Sequence, residues 1–431
     1  MDQIYREFLQ SSGICIDTRG ELANAIFVAL KGERFDGNSF VEEAVEKGCR
    51  LALTSRKDLE GKPGIYYTAS PLKSLQELAT HHRQQVNPRL VAITGSNGKT
   101  TTKELMAAVL SRKYSVCYTR GNLNNHIGVP LTLLSLKNEE LAVVEMGANH
   151  PGEIAELAEI ARPETGLITN VGKAHLEGFG SLQGVLDAKG ELYDFLTAEG
   201  GVALVDGSDP TLMQKSALTG VERKIIGPAG DLQVDVLLKG QEPLLDVEMR
   251  LGSEVFTVQT ALVGSYNLQN LILAAGVGLY YGVAPTDIAS ALASYKPENQ
   301  RSQLIEGNSN RVVLDSYNAN PSSMREAISA LLSYAKAPAM LILGDMAELG
   351  EDSLKEHSEL VRWISTLEVD HVLLVGPLFH RVSEPSSSLS VFRDRKELED
   401  YLKQNRPAGY LVLVKGSRVM ELEKLEPLLI D

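Results

Sequence analysis

Cysteine is scarce in this chain of 431 residues, which holds only Cys15, Cys49 and Cys117. Three widely spaced thiols without a Cys-x-x-Cys pair argue against a disulfide framework and a thiolate zinc site, and they predict a reducing compartment. Positive charge is short as well: 42 Lys and Arg face 56 Asp and Glu, a formal net charge of −14. Polyanion binding rests on clustered basic side chains, so a nucleic-acid surface is disfavoured and any anionic ligand must be held locally. Long apolar runs are missing too. No stretch reaches the ~18–20 apolar residues of a membrane span, and the start, Met1-Asp2-Gln3-Ile4-Tyr5-Arg6-Glu7, has no basic region leading into an apolar one. These absences predict a cytoplasmic protein without a membrane partner. What is present, 43% hydrophobic and 23% charged residues, is ordinary for a globular fold. Domains usually run ~100–200 residues, so three are expected here.

Short apolar strands alternate with amphipathic helices over much of the chain. Leu90-Val91-Ala92-Ile93 reads as a strand, followed by a Gly-rich turn and a helical pattern over Thr101–Leu110. Leu141–Val144 reads as a second strand, Ile154, Leu157, Ala158 and Ala161 as one face of a helix, and Thr165–Thr169 as a third strand. The alternation restarts near Arg311, with strands at Val312–Leu314, Met340–Leu343, Val372–Val375 and Tyr410–Val414. Such a pattern predicts α/β domains built on mostly parallel sheets covered on both faces. Asn87-Pro88 and Tyr295–Gln300 read as linkers, which divides the chain into 1–88, 89–298 and 299–431.

Between strand and helix, Gly95-Ser96-Asn97-Gly98-Lys99-Thr100-Thr101 offers backbone N–H groups and a helix N-terminus to a phosphate. Lys99 supplies a point charge, and Thr100 a hydroxyl for Mg²⁺. The general P-loop has glycine where this chain has Ile93, so by itself the loop indicates nucleoside-triphosphate binding and no more. Glu145 closes the strand that begins at Leu141, at the carboxyl end where ligands of parallel sheets gather, and a carboxylate there can hold the nucleotide's Mg²⁺. A nicotinamide oxidoreductase fits less well, since this strand–loop–helix site lacks a Gly-x-Gly-x-x-Gly turn.

The run Ile93-Thr94-Gly95-Ser96-Asn97-Gly98-Lys99-Thr100-Thr101-Thr102-Lys103-Glu104 resembles the Mur ligase family. So do Asn122-Leu123-Asn124-Asn125-His126, Asp315-Ser316-Tyr317-Asn318-Ala319-Asn320-Pro321, Gly344-Asp345-Met346-Ala347-Glu348-Leu349-Gly350 and, near the N-terminus, Asp17-Thr18-Arg19 and Phe27–Gly37. The resemblance implies an N-terminal UDP-substrate domain, a central P-loop ATPase domain and a C-terminal Rossmann-like domain. It also implies an ATP-dependent amide ligase of peptidoglycan synthesis acting through an acyl phosphate. Within the family, the segments resemble the members that take UDP-MurNAc-tripeptide and D-Ala-D-Ala as substrates; addition of a single amino acid is the alternative. A nucleotide-binding switch without chemistry has no use for Glu145, His175 and Lys189 together.

Residue by residue, the resemblance implies Thr18 and Arg19 for the uridine nucleotide's phosphates, where Arg19 can pair through two N–H bonds. Lys189 is implied as a carbamate formed with CO₂ and, with His175, as a ligand of a second Mg²⁺; Thr100 and Glu145 hold the first. Asn267 is implied for the adenine, its amide able both to donate and to accept, although the preceding position, often His in the family, is Tyr266 here. Arg301 and Asp315 are implied for the nucleotide's phosphates and ribose, with a single carboxylate where the family usually has a pair. Asn125, Tyr317, Asn318, Asn320, Lys415 and Arg418 are expected near the dipeptide or the reacting phosphate. A monomer is expected.

Overall fold

The computed structural model describes residues 2–32, 35–172, 176–298, 300–336 and 338–431. They form three sheets. The first carries β1 (Ile14–Cys15), β2 (Ile26–Val28), β3 (Leu51–Thr54) and β4 (Ile65–Tyr67), in that order and all parallel. Alternation along β2 feeds two cores, because successive side chains point to opposite faces. Phe27 packs with Leu22, Val41 and Leu59 on one face, while Ile26 and Val28 face Leu75 and Leu78 of the helix Pro71–Val86 on the other.

That helix starts on a Ser70 cap and stops at Asn87, whose left-handed φ of 49° ends it before Pro88. The junction is fastened. Buried Arg83 donates to the Ala161 and Arg162 carbonyls at 3.0 and 3.1 Å and to Glu164 Oε1 at 2.6 Å, so the helix is tied to the next sheet.

The second sheet holds β5 (Arg89–Thr94), β6 (Val116–Tyr118), β7 (Leu141–Glu145), β8 (Thr165–Ile168), β9 (Val202–Asp206), β10 (Glu222–Gly227), β11 (Leu232–Gln241), β12 (Leu244–Leu251) and β13 (Glu254–Val263). Their order is β13-β12-β11-β10-β9-β8-β5-β7-β6. From β6 to β11 every pairing is parallel, whereas β11, β12 and β13 form an antiparallel meander at one edge. Leu90 and Ala92 face one core and Val91 and Ile93 the other, so β5 is buried on both sides. The chain leaves β5 towards β6 on one side and returns from β7 to β8 on the other. The carboxyl end of β5 is therefore a switch point, where a crevice opens between diverging connections.

The third sheet comprises β14 (Gln303–Glu306), β15 (Arg311–Asp315), β16 (Ala339–Gly344), β17 (His371–Val375), β18 (Leu389–Phe392) and β19 (Leu411–Lys415), ordered β14-β15-β19-β16-β17-β18. Only β14 runs antiparallel to its neighbour. Its two faces bury separate clusters, Val313, Leu341 and Leu374 on one and Val312, Ile342 and Val414 on the other. Asp315 and Lys415, the last residues of β15 and β19, line one cavity with the loop that follows β5.

Candidate active site

Beyond Thr94 the chain turns through Gly95-Ser96-Asn97-Gly98 into the helix Lys99–Leu110. Two positions demand glycine. Gly95 has φ 146° and a Cβ there would strike the Thr169 hydroxyl; Gly98 has φ 76° and a Cβ there would strike the Asn270 amide. No side chain caps this helix, which leaves its first-turn N–H groups and positive end to an anion. The loop is braced from the end of β8: Asn97 N–H donates to Asn170 Oδ1 at 2.9 Å, and Thr169 Oγ1 and Asn170 Nδ2 donate to the Asn97 carbonyl at 2.6 and 3.0 Å. Lys99 Nζ donates to the loop's own carbonyls, Gly95 at 2.7 Å and Ser96 at 3.2 Å. Burial pushes its ammonium below the ordinary lysine value, with Glu145 opposing.

At the end of β7, Glu145 is 1% exposed and accepts from Thr100 Oγ1 at 2.9 and 3.2 Å and from Asn124 Nδ2 at 2.8 Å. Lys103 Nζ lies 3.6 Å from Glu145 Oε2, the oxygen that Thr100 bonds at 2.9 Å. The Thr100 hydroxyl and the Glu145 carboxylate thus place two hard oxygen donors together at the loop, the donor type Mg²⁺ prefers. Among the described residues there is no cluster of three or more His, Cys, Asp or Glu suited to a metal. A nucleotide's phosphates and water would therefore complete the shell, the usual way Mg²⁺ is held.

The third sheet closes the site. Arg301 lies 3.9 Å from the centre of the Tyr317 ring and Arg418 5.7 Å, so one aromatic ring gathers two guanidinium groups. Arg301 Nε is buried without a hydrogen-bond partner. Asp315 and Lys415 are register partners on β15 and β19, and Lys415 Nζ donates to Asp315 Oδ2 at 2.5 Å and to the Asn318 carbonyl at 3.2 Å. Asn320 Nδ2 donates to Asn97 Oδ1 at 2.8 Å, a direct bond from the third sheet to the phosphate loop. Together these groups line a polar cavity of about 460 Å³.

The cavity gathers Ser96 through Thr101, Asn125, Glu145, Asn267, Arg301, Asp315, Tyr317, Asn318, Asn320, Lys415 and Arg418. Gly95 shapes the loop from behind. Three of the side chains expected to meet substrates also have internal partners. The Asn267 amide donates to the Val263 carbonyl at 2.8 Å and accepts from Asn270, Asn125 Oδ1 accepts from the Ile127 and Gly128 N–H groups, and Asp315 is held by Lys415 and the Ser302 N–H. Lys189 does not line the cavity. It is 1% exposed in the helix Leu182–Glu199, its Nζ 5.6 Å from the Phe179 ring centre, and burial together with repulsion from Lys99 pushes its amine down to about 7. Near pH 7 such an amine is partly neutral, and the neutral form is the one that reacts with CO₂. His175 lies outside the described residues.

Thr18 and Arg19 are placed apart, on the first domain. Thr18 is 8% exposed with its carbonyl accepting from Lys47 Nζ at 2.9 Å, while exposed Arg19 pairs with Asp17, whose carboxyl it pulls down to about 2. Sequence reasoning missed two residues at Glu145. Asn124, next to the chosen Asn125, makes the amide contact, and Lys103 supplies the second cation from the same helix face as Thr100.

Three family models match this architecture: the Mur ligase family catalytic domain over residues 10–113, the Mur ligase middle domain over 93–278 and the Mur ligase glutamate ligase domain over 300–418. The chain belongs to the Mur ligase family. This Mur ligase is 36% identical to the UDP-N-acetylmuramoyl-tripeptide–D-alanyl-D-alanine ligase of Bacillus subtilis, over 97% of the chain and 93% of that protein. Its structure is similar to that of MurF from Acinetobacter baumannii (TM-score 0.88, 32% identity, 100% of this chain and 98% of the other). It is also similar to MurF ligase from Thermotoga maritima in complex with ADP (TM-score 0.85, 30% identity, 98% and 97% covered).

Proposed function

We propose that this Mur ligase is an ATP-dependent, ADP-forming ligase that joins D-alanyl-D-alanine to UDP-MurNAc-tripeptide, giving UDP-MurNAc-pentapeptide, ADP and phosphate. The observation that carries this reading is the joining of the phosphate loop, Glu145 and Arg301 in one cavity of a chain so similar along its length to such a ligase. Relatives from Escherichia coli and Haemophilus influenzae bearing the same name, at 37 and 35% identity, support it.

A peptide carboxylate resists amine attack until one of its oxygens becomes a phosphate leaving group. The γ-phosphoryl group of ATP passes to that oxygen and ADP departs, giving an acyl phosphate; the dipeptide amine then attacks the acyl carbon and phosphate leaves. In this chain the N–H groups of Gly98 to Thr101 and the Lys99 ammonium hold the transferring phosphates, and Arg301, with its free Nε, reaches the same anions from the third sheet. Lys99 need only exchange its two loop carbonyls for phosphate oxygens. Thr100 and Glu145 would hold Mg²⁺, which supplies neutralising charge on the phosphates. Lys189, as a carbamate, and His175 would hold a second ion; the burial that lowers the Lys189 amine to about 7 supports that assignment. The Asn267 amide would turn to adenine, and Asp315 to the ribose, on exchanging their internal bonds. Tyr317, Asn318, Asn320, Lys415 and Arg418, with Asn125 opposite, surround the space left for the dipeptide and the acyl phosphate.

Thr18 and Arg19 would take the uridine nucleotide's phosphates, with Arg19 leaving Asp17, so we assign 1–88 to the UDP-substrate, 89–298 to ATP and 299–431 to closure over both. The enzyme would work as a monomer in the cytoplasm, where its nucleotide substrates are; no helix among the described residues is long and apolar enough to cross a membrane. The test is phosphate release by purified protein with ATP, Mg²⁺ and UDP-MurNAc-tripeptide, with D-Ala-D-Ala present, withheld or replaced by single amino acids. Turnover only with the dipeptide is expected, and equal turnover with a single amino acid would overturn the assignment.

A further inference from the structure

Lys103 is fully buried, yet its ammonium has no hydrogen-bond partner. Burying a charge is costly unless it is paired. The opposite charges near it are Glu145 at 3.6 Å and Glu104 at 3.8 Å, the latter also accepting from Tyr295 OH at 2.7 Å. The Tyr118 ring centre is 6.0 Å away, and Arg301 is a further cation of the surroundings. Lys103 follows Thr100 by three residues on one helix, so hydroxyl and ammonium address the same carboxylate. Lys99 also feels Glu145, so two lysines attend this one carboxylate before any metal arrives.

We propose that Lys103 is a positioning residue that stands in for a metal ion at Glu145, holding the carboxylate aimed at the cavity and keeping free Mg²⁺ out until it arrives with the nucleotide. A lone divalent cation meets the repulsion of Lys103 beside Glu145 and of Lys99 and Arg301 nearby. Entering with ATP, it comes in a complex of net negative charge, which the same cations attract. The consequence is ordered delivery, metal and nucleotide together. This inference rests on Glu145 being a metal ligand.

The test is a titration of nucleotide-free protein with Mn²⁺ at pH 8, free ion counted by electron paramagnetic resonance, on the wild type, Lys103→Met and Glu145→Gln, then repeated with ADP bound. Removing the ammonium, which Glu145 and Glu104 favour against the burial that pushes it below the ordinary lysine value, should tighten metal binding to Lys103→Met without nucleotide by at least about tenfold, with a smaller change in the ADP complex. Unchanged or weaker binding to Lys103→Met would overturn the proposal. Weaker metal binding by ADP-loaded Glu145→Gln, beside an unchanged Lys103→Met, would leave Glu145 as ligand and remove only the role of Lys103. No effect of Glu145→Gln would remove the ligand assignment itself. If Lys103→Met does not fold, Lys103→Gln is read in the same way; failure of both to fold overturns the proposal, because it makes the charge part of the fold.

Discussion

Lys189 shows at one residue how burial prepares chemistry. Its amine sits at about 7 against an ordinary 10.5, because desolvation and the nearby Lys99 both disfavour the ammonium. The folded value is depressed, so between about pH 7 and 10.5 the unfolded chain binds more protons at this residue. Stability from this group therefore rises with pH across that window and is constant below it, where both states are protonated. In CO₂-free buffer, Lys189→Met should flatten the rise in Tm between pH 7 and 10; an unchanged slope would show that the amine does not titrate as placed. The chemistry follows the same proton. Lys189→Ala should lower kcat by ~10²–10³, the scale of losing one group that stabilises transition-state charge, and a short carboxylic acid in solution should restore part of it. Full activity of the variant without CO₂ would sink the carbamate.

At the scale of elements, the strand–loop–helix unit stands on Gly98. Its φ of 76° and the Asn270 amide against it exclude a side chain, and Asn270 is itself fixed by Thr102 Oγ1 at 3.0 Å and by Asn267. Gly98→Ala should cost ~1–3 kcal/mol through left-handed strain and overpacking. It should weaken ADP binding at least about tenfold in calorimetry, the equivalent of ~1.4 kcal/mol, since the same shift moves the N–H groups that meet the phosphates. Unaltered binding would mean the loop tolerates what its geometry forbids. This unit was legible because four apolar residues, two glycines and Lys-Thr occur in order, although its helix begins at Lys99, earlier than the apolar pattern over Thr101–Leu110 indicates. The antiparallel edge was not anticipated. Leu245, Val247, Met249 and Leu251 are buried and alternate with Asp246, Glu248 and Arg250, a period-2 signal that an expectation of parallel strands passes over. Nor could spacing show the Asp315–Lys415 pair, which arises because β19 inserts between β15 and β16.

Across the whole molecule, the site exists only where the second and third sheets meet, and Asn320 makes that meeting specific. Its side chain does two things at once. Oδ1 accepts from Ser323 N–H at 2.9 Å and caps the helix Pro321–Tyr334, while Nδ2 donates to Asn97 in the phosphate loop at 2.8 Å. Asn320→Ala would lose both and confuse a cap cost of ~1 kcal/mol with loss of the contact between sheets. Asn320→Ser separates them, because its hydroxyl still caps the helix but is too short to reach Asn97 Oδ1. Local stability should then stay within ~0.5 kcal/mol of wild type, the usual range for a change that spares the cap. The closed arrangement should lose ~0.5–1.5 kcal/mol or more, the net worth of one hydrogen bond, and because closure completes the nucleotide site the KM for ATP should rise about two- to tenfold. Small-angle scattering of the nucleotide-free variant should show a larger radius of gyration than wild type, and saturating nucleotide should bring the two together. A variant with unchanged KM and unchanged dimensions would mean that Arg301 and the Tyr317 ring, not the Asn320 amide, hold the third sheet over the loop.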